Sequence, residues 1–276
     1  MTNFSSLKDS PLGKTSKSAA NYDKSLLFAL DRSENRRELD LVSPLPFHGS
    51  DIWNLYELSW LNLQGKPIVA MARLTVPADS PRIFESKSLK LYLNSLHNLR
   101  FANGDELCKL IVADLSELCG TNLMLSLEPL TALSSSPLSS PEGLNLDDYD
   151  IHTDCYSYHP QFLSSSEKFC EEILYSNLLR SNCPITNQPD WATLVIRYEG
   201  RQIDHPGLLK YIISLREHNE FHEHCIERIF VDLMKHCGPE NLLVSARYTR
   251  RGGIDINPQR ATLAYGLEGN RRLIRQ

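Results

Sequence analysis

The order of apolar and polar positions predicts a mixed set of strands and helices in the first half of the chain. From Trp53, apolar and polar residues roughly alternate on both sides of a turn at Gln64-Gly65-Lys66, as in two half-buried antiparallel strands. Apolar positions then recur at helical spacing in "SKSLKLYLNSLHNL" and in "GDELCKLIVADLSELCG". These stretches predict two helices, the second ending at Gly120, and "NLMLSLEPL" predicts a further strand.

The second half of the chain repeats this order. A strand is predicted over "DWATLVIRYEG", helices over "HPGLLKYIISLREH" and "FHEHCIERIFVDLMKHCG", and a strand leading into a glycine-rich turn over "NLLVSARYTRRGGIDINP". In addition, "LKLYLNSL" resembles "LLKYIISL", and "LIVADL" resembles "RIFVDL". We therefore expect an internal duplication of a strand–strand–helix–helix–strand unit, which is an α+β architecture.

The predicted modules span residues 1–130 and 161–276, and a segment rich in Ser, Pro, Gly and Asp over residues 131–160 is expected to link them. No GxGxxG sequence follows a predicted strand, which argues against a Rossmann dinucleotide fold.

Composition narrows the classes of partner. The chain has 276 residues, of which 41% are hydrophobic and 23% charged, with a net charge of −5. This balance is typical of a folded protein and gives no reason to expect binding to nucleic acid or to an anionic membrane. The polar N-terminus lacks the apolar segment of a secretory signal, and the seven cysteines form no CxxC pair. Reduced thiols and a cytoplasmic location are therefore expected.

The stretch "NCPITNQPDW" places a thiol and a carboxylate on one short, proline-bounded loop. Cys183 precedes a proline and Asp190 follows another, and the loop leads directly into a predicted strand. Prolines restrict the backbone, and loops at strand ends often carry functional groups. Cys183 is thus a candidate nucleophile and Asp190 a candidate proton donor or acceptor. A buried structural cysteine beside a capping aspartate explains the same pattern.

The stretch "HNEFHEHC" is usually explained as the polar, solvated first turn of a helix, and it has two functional interpretations. His222, His224 and Cys225 could bind zinc, although the order H-x-E-x-H differs from the H-E-x-x-H of zinc hydrolases. Alternatively, His222 and Glu223 could bind a guanine-like edge, because its N–H donors need an anionic acceptor.

Two further motifs suggest anion binding. In "FESKSLKLY", Lys87 and Lys90 occur near the start of a helix, where cations oppose the helix dipole unless an anion is bound. In "YTRRGGIDINP", two arginines precede Gly252 and Gly253. Glycine permits close backbone approach and arginine can bind phosphate with two hydrogen bonds, although an exposed hairpin turn fits equally well.

Together, "ESKSLKLY", "CPITNQPDW", "FHEHC" and "RRGGIDINP" resemble the NADPH-dependent 7-cyano-7-deazaguanine reductases of queuosine biosynthesis, in their two-module form. This resemblance implies tandem tunnelling-fold modules, each an antiparallel sheet with two helices on one face. It also implies NADPH as cofactor, no metal, at least a homodimer, and one competent site per chain with residues from both modules.

The resemblance also implies roles for individual residues. Cys183 would attack the nitrile carbon to form a thioimide, and Asp190 would donate a proton. The residues implied to hold the substrate are Phe84, Glu85, Ser86, His222 and Glu223, and those implied to hold NADPH are Ser86, Lys87, Arg251 and Gly252. Two alternatives remain: a zinc-dependent cyclohydrolase-like enzyme, and a purine-binding module without catalytic activity.

Overall fold

The computed structural model describes residues 21–128, 130 and 138–276. These residues form two compact units that exchange short segments of chain. The first unit takes in the described residues of Met1–Asp40, Ile52–Pro137 and Arg250–Asp255. The second takes in those of Leu41–Asp51, Leu138–Thr249 and Ile256–Gln276.

The first unit combines β-strands with helices. Its elements are β1 (Ala29–Asp31), α1 (Arg32–Arg36), β2 (His48–Leu61), β3 (Pro67–Pro77), β4 (Arg82–Phe84), α2 (Ser86–Ser95), α3 (Gly104–Cys119) and β5 (Met124–Glu128). Of β2, only the residues from Ile52 onward belong to this unit. β3 lies between β2 and β5 and pairs antiparallel with β5, while β1 and β4 form a separate antiparallel pair. α3 packs against β4 and β5.

The second unit is built around a larger sheet. Its elements are β6 (Leu144–Asn145), β7 (Ser165–Asn182), β8 (Pro189–Ile203), α4 (His205–Ser214), α5 (His222–His236), β9 (Asn241–Tyr248) and β10 (Ile254–Ala261). Of β10, only the residues from Ile256 onward belong to this unit. The strand order is β10-β9-β8-β7-β6; β6 and β7 pair parallel, and the other neighbouring strands pair antiparallel. α5 packs on β9, and α4 packs on β7.

Side chains that bind free backbone groups fix the helix ends. Glu85 accepts hydrogen bonds from two backbone N–H groups at the start of α2, and Asn103 accepts one at the start of α3. Asp204 does the same for α4 through the N–H of Gly207. α3 ends at Gly120, whose φ of 71° lies in the left-handed region that glycine enters without steric cost.

A buried tyrosine–aspartate hydrogen bond joins the two long helices of the first unit. The hydroxyl of Tyr92 on α2 donates to Oδ2 of Asp114 on α3 over 2.6 Å, and both side chains are buried. Ser95, one turn after Tyr92, donates to the carbonyl of Tyr92 and accepts from the N–H of Asp23. Tyr22 supplies a second hydroxyl to Asp114.

The second unit contains the same set of bonds. Tyr211 on α4 donates to Asp232 on α5 over 2.6 Å, and Ser214 donates to the carbonyl of Tyr211. Ser214 also accepts from the N–H of His159, and Tyr158 supplies the second hydroxyl to Asp232. The matched residues fall at equivalent places in the two similar sequence stretches, so these bonds support the predicted duplication.

The structure confirms the α+β class and the predicted helices and most predicted strands. The 18-residue strand β7 was not predicted, nor was β10 as a strand separate from β9. The predicted linker lies partly outside the described residues, at 131–137, and its residues Leu144–Asp148 form β6 and a 3₁₀ turn. The module boundaries stay a prediction. No helix among the described residues is long and apolar enough to cross a membrane.

Candidate active site

Cys183 begins the tight loop that joins β7 to β8. Its N–H donates to the carbonyl of Gln188 over 2.9 Å, and its carbonyl accepts from the N–H of Asn187 over 3.0 Å. Asn187 has a φ of 53°, in the left-handed region that Asn tolerates better than most residues. The Cys183 side chain is a free thiol with 9% of its surface exposed. The loop therefore holds this sulfur close to the surface in one backbone conformation.

Asp190 lies at the start of β8, beside this loop. It pairs in register with Ser181, and its side chain is buried. Nε2 of His222, the first residue of α5, lies 3.5 Å from Oδ1 of Asp190. The His222 ring also packs against the ring of Tyr248, with centroids 4.0 Å apart. The loop, the start of β8 and the start of α5 thus bring together three of the predicted residues.

Glu223 follows His222 in the first turn of α5 and is 6% exposed. A carboxylate at a helix N-terminus is stabilised by the helix dipole and can accept N–H donors from a ligand. All four residues predicted to act in the second module, Cys183, Asp190, His222 and Glu223, therefore occur within one region of the second unit.

The remaining histidines of "HNEFHEHC" surround a buried carboxylate. Oε1 of Glu220 lies 2.9 Å from Nε2 of His218 and 3.2 Å from Nδ1 of His224. The same oxygen accepts a hydrogen bond from Nε of Arg228 over 2.5 Å. His222 faces Asp190 instead.

This arrangement bears on the zinc hypothesis. His222 and His224 lie next to different carboxylates. In the part of the chain that the structure describes, no three or more His, Cys, Asp or Glu side chains are grouped so as to hold a metal ion. The zinc hypothesis therefore has no ligand set among these residues.

In the first unit, Glu85 is both a helix cap and a candidate ligand group. Its two carboxylate oxygens accept hydrogen bonds from the N–H groups of Lys87 (2.7 Å) and Ser88 (2.8 Å). Burial raises the pKa of Glu85 above its ordinary value, while the N–H donors of Lys87 and Ser88 act in the opposite direction. A carboxylate has about four acceptor positions, so capping leaves acceptor capacity for a ligand.

Phe84 and Ser86, on either side of Glu85, differ in their exposure. The Phe84 side chain is buried and packs edge-to-face on Trp53, with ring centroids 4.8 Å apart. Ser86 is half-buried, and its hydroxyl lies 3.3 Å from Oε1 of Glu85. Phe84 thus supports the start of α2 from within the core, whereas Ser86 is accessible.

The predicted phosphate-binding turn also lies in the first unit. Gly252 and Gly253 have φ values of 58° and 77°, and the carbonyl of Gly252 accepts a hydrogen bond from Nζ of Lys90 over 2.5 Å. Arg251 is exposed, and the guanidinium of Arg250 lies 3.8 Å from the ring centroid of Tyr56. The turn therefore contacts α2 one turn beyond Ser86 and Lys87, with several cationic side chains around it.

Comparison with known proteins identifies the family. Residues 18–127 match the family model described as "Nitrile reductase, 7-cyano-7-deazaguanine-reductase N-term", and residues 189–264 match that of "QueF-like protein". The NADPH-dependent 7-cyano-7-deazaguanine reductase of Ralstonia nicotianae is 51% identical over 97% of this chain and 98% of its own length. The chain belongs to the 7-cyano-7-deazaguanine reductase family.

Other members of the reductase family are similarly close. The protein of the same description from Dechloromonas aromatica is 50% identical over 97% of this chain and 95% of its own length. The one from Legionella pneumophila is 49% identical with the same coverage. Among solved structures, an archaeosine synthase QueF-Like in the apo form matches 37% of this chain and 99% of its own, with 16% identity and a TM-score of 0.31.

Sequence reasoning missed part of this region. It did not identify Tyr248, which packs on His222, or Asn219, whose side chain contacts the cysteine loop. It treated Glu220 only as one carboxylate in a histidine-rich stretch. Asn219 is the second residue of "HNEFHEHC", which was the available signal, but its contact partners lie more than 30 positions away in sequence.

Proposed function

We propose that this chain catalyses the NADPH-dependent reduction of the nitrile of 7-cyano-7-deazaguanine to an aminomethyl group, a step of queuosine biosynthesis. Family membership over nearly the whole chain supports the reaction. The observation that carries the proposal is the Cys183 loop beside the Asp190–His222 pair, because it supplies a thiol and a carboxylate to the same place.

Cys183 acts as the nucleophile. A nitrile accepts hydride poorly, and addition of the thiol converts it into a thioimide with a more reactive C=N bond. A bond forms between Sγ and the nitrile carbon, one C–N π bond breaks, and the thiol proton passes to nitrogen. In the complete reaction the substrate takes up two hydrides and two protons, gives the neutral amine, and releases Cys183 as a thiol.

Asp190 moves the protons. Two contacts support this role: Asp190 pairs in register with Ser181, two residues before Cys183, and the N–H of Cys183 donates to the carbonyl of Gln188, two residues before Asp190. It can take the proton of the thiol and deliver it to the substrate nitrogen. His222, 3.5 Å from Asp190, holds this carboxylate in place and contacts the substrate.

The substrate base is held by carboxylates and a histidine. A deazaguanine presents N–H donors along one edge, and ionised carboxylates are strong acceptors for such donors. Glu223 at the start of α5, together with His222, would accept such bonds in the second unit, and Glu85 at the start of α2 is a further candidate acceptor in the first. Ser86 would contact the same ligand, and Phe84 would support Glu85 from the core.

The residues around Gly252 fit the anionic groups of NADPH. A Cβ at Gly252 would lie 2.9 Å from Nζ of Lys90, so only glycine leaves this space open without displacing the lysine. Ser86, Lys87 and Arg251 are the residues that would hold the phosphates, with the N–H and side-chain donors that such groups require. When bound, NADPH supplies hydride.

We also propose that the protein works in the cytoplasm as at least a homodimer without nucleic acid or membrane partners. All seven cysteines are free thiols, as is usual for proteins of reducing compartments. The net charge of −5 gives no attraction for phosphate backbones. Light scattering would measure the number of subunits.

Mass spectrometry of the intact protein tests the covalent step. The wild-type protein mixed with 7-cyano-7-deazaguanine, without NADPH, is expected to gain the mass of one ligand, and Cys183→Ala is expected to gain none. Cys170→Ala is a matched control, because Cys170 is a half-buried cysteine elsewhere on β7. Absence of the adduct in wild type, together with no NADPH consumption, would refute the proposed function.

A further inference from the structure

The segment His218–Glu220 lies directly against the residue that precedes Cys183. The N–H of Asn182 donates to the carbonyl of His218 over 2.8 Å, and the N–H of Glu220 donates to the carbonyl of Asn182 over 3.0 Å. These two bonds form an isolated parallel bridge between Asn182 and Asn219. The bridge fixes the backbone at the entrance to the cysteine loop, and two residues later the same segment begins α5 with His222.

The side chain of Asn219 contacts both ends of the cysteine loop. Its Nδ2 donates to Oδ1 of Asn187 over 3.1 Å, and its Oδ1 lies 3.5 Å from Nδ2 of Asn182. Asn182 precedes Cys183, and Asn187 is the left-handed residue near the loop end. A single amide therefore spans the loop that carries the thiol.

A buried ion pair anchors this segment to the body of α5. Glu220 is 2% exposed and pairs with Arg228, which is 6% exposed. The guanidinium of Arg228 in turn lies 4.9 Å from the ring centroid of Tyr158, and Tyr158 donates to Asp232. The anchor thus joins the cysteine loop to the tyrosine–aspartate bond between the two helices.

The first unit shows that the fold does not require this anchor. The tyrosine–aspartate bond occurs in both units. In the similar sequence stretches "LIVADL" and "RIFVDL", however, Arg228 matches Leu110. An arginine at this position therefore accompanies the unit that contains the cysteine loop.

We propose that Asn219 is a positioning residue for Cys183, and that the Glu220–Arg228 pair anchors it. Asn219 acts through Asn182 and Asn187; it holds the loop so that the sulfur meets the nitrile carbon of bound substrate in a reactive geometry. This inference rests on the proposed function, because it concerns the orientation of the same thiol.

Replacement of Asn219 by alanine tests the inference with two rates. The rate of adduct formation with 7-cyano-7-deazaguanine is expected to fall about 10- to 100-fold, since small misplacements of reacting groups have effects of this size. Alkylation of Cys183 by iodoacetamide, followed on the Cys183 peptide by mass spectrometry, is expected to become faster. A released loop exposes Cys183, a residue that is only 9% exposed in the folded protein.

Opposite changes in these two rates distinguish a positioning role of Asn219 from a general loss of folded structure. Substrate affinity, measured in a Cys183→Ala background with and without Asn219→Ala, is expected to agree within about twofold. Asn241→Ala is the matched control: its side chain also donates one hydrogen bond, to Glu199 over 2.9 Å, away from the loop. Both rates of Asn241→Ala should equal those of wild type.

Several results would overturn the inference. One is adduct formation by Asn219→Ala at the wild-type rate; another is alkylation of Cys183 that is unchanged or slower. A parallel loss of both rates in Asn219→Ala and Asn241→Ala would point to stability alone. Failure of the proposed function would look different, because the wild-type protein would then form no adduct while its alkylation remained measurable.

Discussion

Glu220 is almost fully buried and nevertheless ionised. Burial raises the pKa of this carboxyl group, but His224, His218 and Arg228 together outweigh it and lower the pKa to about 2. A lowered folded-state pKa means that the ionised group stabilises the native protein at neutral pH. Because the same residue belongs to the segment that holds Asn182, its charge contributes to the order of the cysteine loop.

Glu220→Gln is therefore expected to destabilise the protein by about 3–5 kcal/mol at pH 7, because it leaves Arg228 buried without its carboxylate. The contribution of Glu220 is complete above its ordinary pKa of 4.5 and is lost as the pH falls toward about 2. Urea unfolding at pH 7 and pH 3 should thus show a larger difference between wild type and variant at pH 7.

The neighbouring exposed Glu217 provides a control for this prediction. Glu217→Gln should change the free energy of unfolding by no more than about 0.5 kcal/mol at either pH. An equal destabilisation by Glu220→Gln at both pH values would show that ionisation of Glu220 is not the cause.

A second prediction at the residue scale concerns Gly252. Alanine at this position should lower the free energy of unfolding by about 1–2 kcal/mol, because the backbone has a positive φ of 58°. By crowding Lys90, it should also raise the KM for NADPH severalfold. Gly238 has nearly the same φ, 59°, but a Cβ there would meet nothing within 4 Å. Gly238→Ala should therefore match the stability loss without changing KM, and steady-state kinetics with NADPH varied would reveal any departure.

Single residues were predictable where the sequence places them next to each other. The closeness of Cys183 to Asp190 follows from one short loop between two strands. The contact of Glu220 with Arg228 does not, because Glu220 precedes α5 and helical spacing does not describe its direction. For the same reason, the histidine-rich stretch suggested a shared metal, although His222 and His224 lie next to different carboxylates.

At the scale of elements, the duplicated tyrosine–aspartate bond predicts equal behaviour of the two helix pairs. Tyr92→Phe and Tyr211→Phe should each lower the free energy of unfolding by about 1–3 kcal/mol, because each removes a buried hydrogen-bond donor from a buried aspartate. Tyr156→Phe is a control, since Tyr156 is 43% exposed and its hydroxyl has only a 3.5 Å contact. Thermal denaturation would measure all three, and an effect confined to one unit would contradict a shared structural role.

Helices were easier to predict than strands for a physical reason. Apolar residues at helical spacing mark α3 and α5, because each buries one face. β7 gives no such signal: its buried positions include Ser176 and Ser181, its exposed ones include Phe169, and register shifts interrupt its pairing with β8. Polar groups are buried there because Asp147 accepts a hydrogen bond from Ser176, a partner that local sequence does not reveal.

At the scale of the whole molecule, the units exchange segments of chain. The segment Leu41–Asp51 belongs to the second unit, where Asp51 and Glu227 both pair with the buried Arg260. Phe47 in this segment packs on Phe230, with ring centroids 5.3 Å apart. The pattern of apolar residues predicted two consecutive modules and could not predict this exchange, because it depends on charges that are far apart in sequence.

The exchange predicts that a fragment of residues 138–276 is unstable. Without Leu41–Asp51, the buried Arg260 loses one of its two carboxylates, which typically costs several kcal/mol. Urea denaturation followed by circular dichroism should show a broad transition at low urea. The same fragment with residues 41–51 joined by a flexible linker should recover a sharp transition; equal midpoints for the two would contradict the prediction.

Because the tyrosine–aspartate bond occurs in both units, the two units can be treated as two copies of one architecture and compared within a single chain. One copy has the shared architecture without the cysteine loop, and the other shows which residues accompany that loop. A designer who wished to install a reactive thiol in a related scaffold could compare the two copies position by position. The arginine in place of Leu110 and the asparagine that spans the loop would be the first additions to transfer.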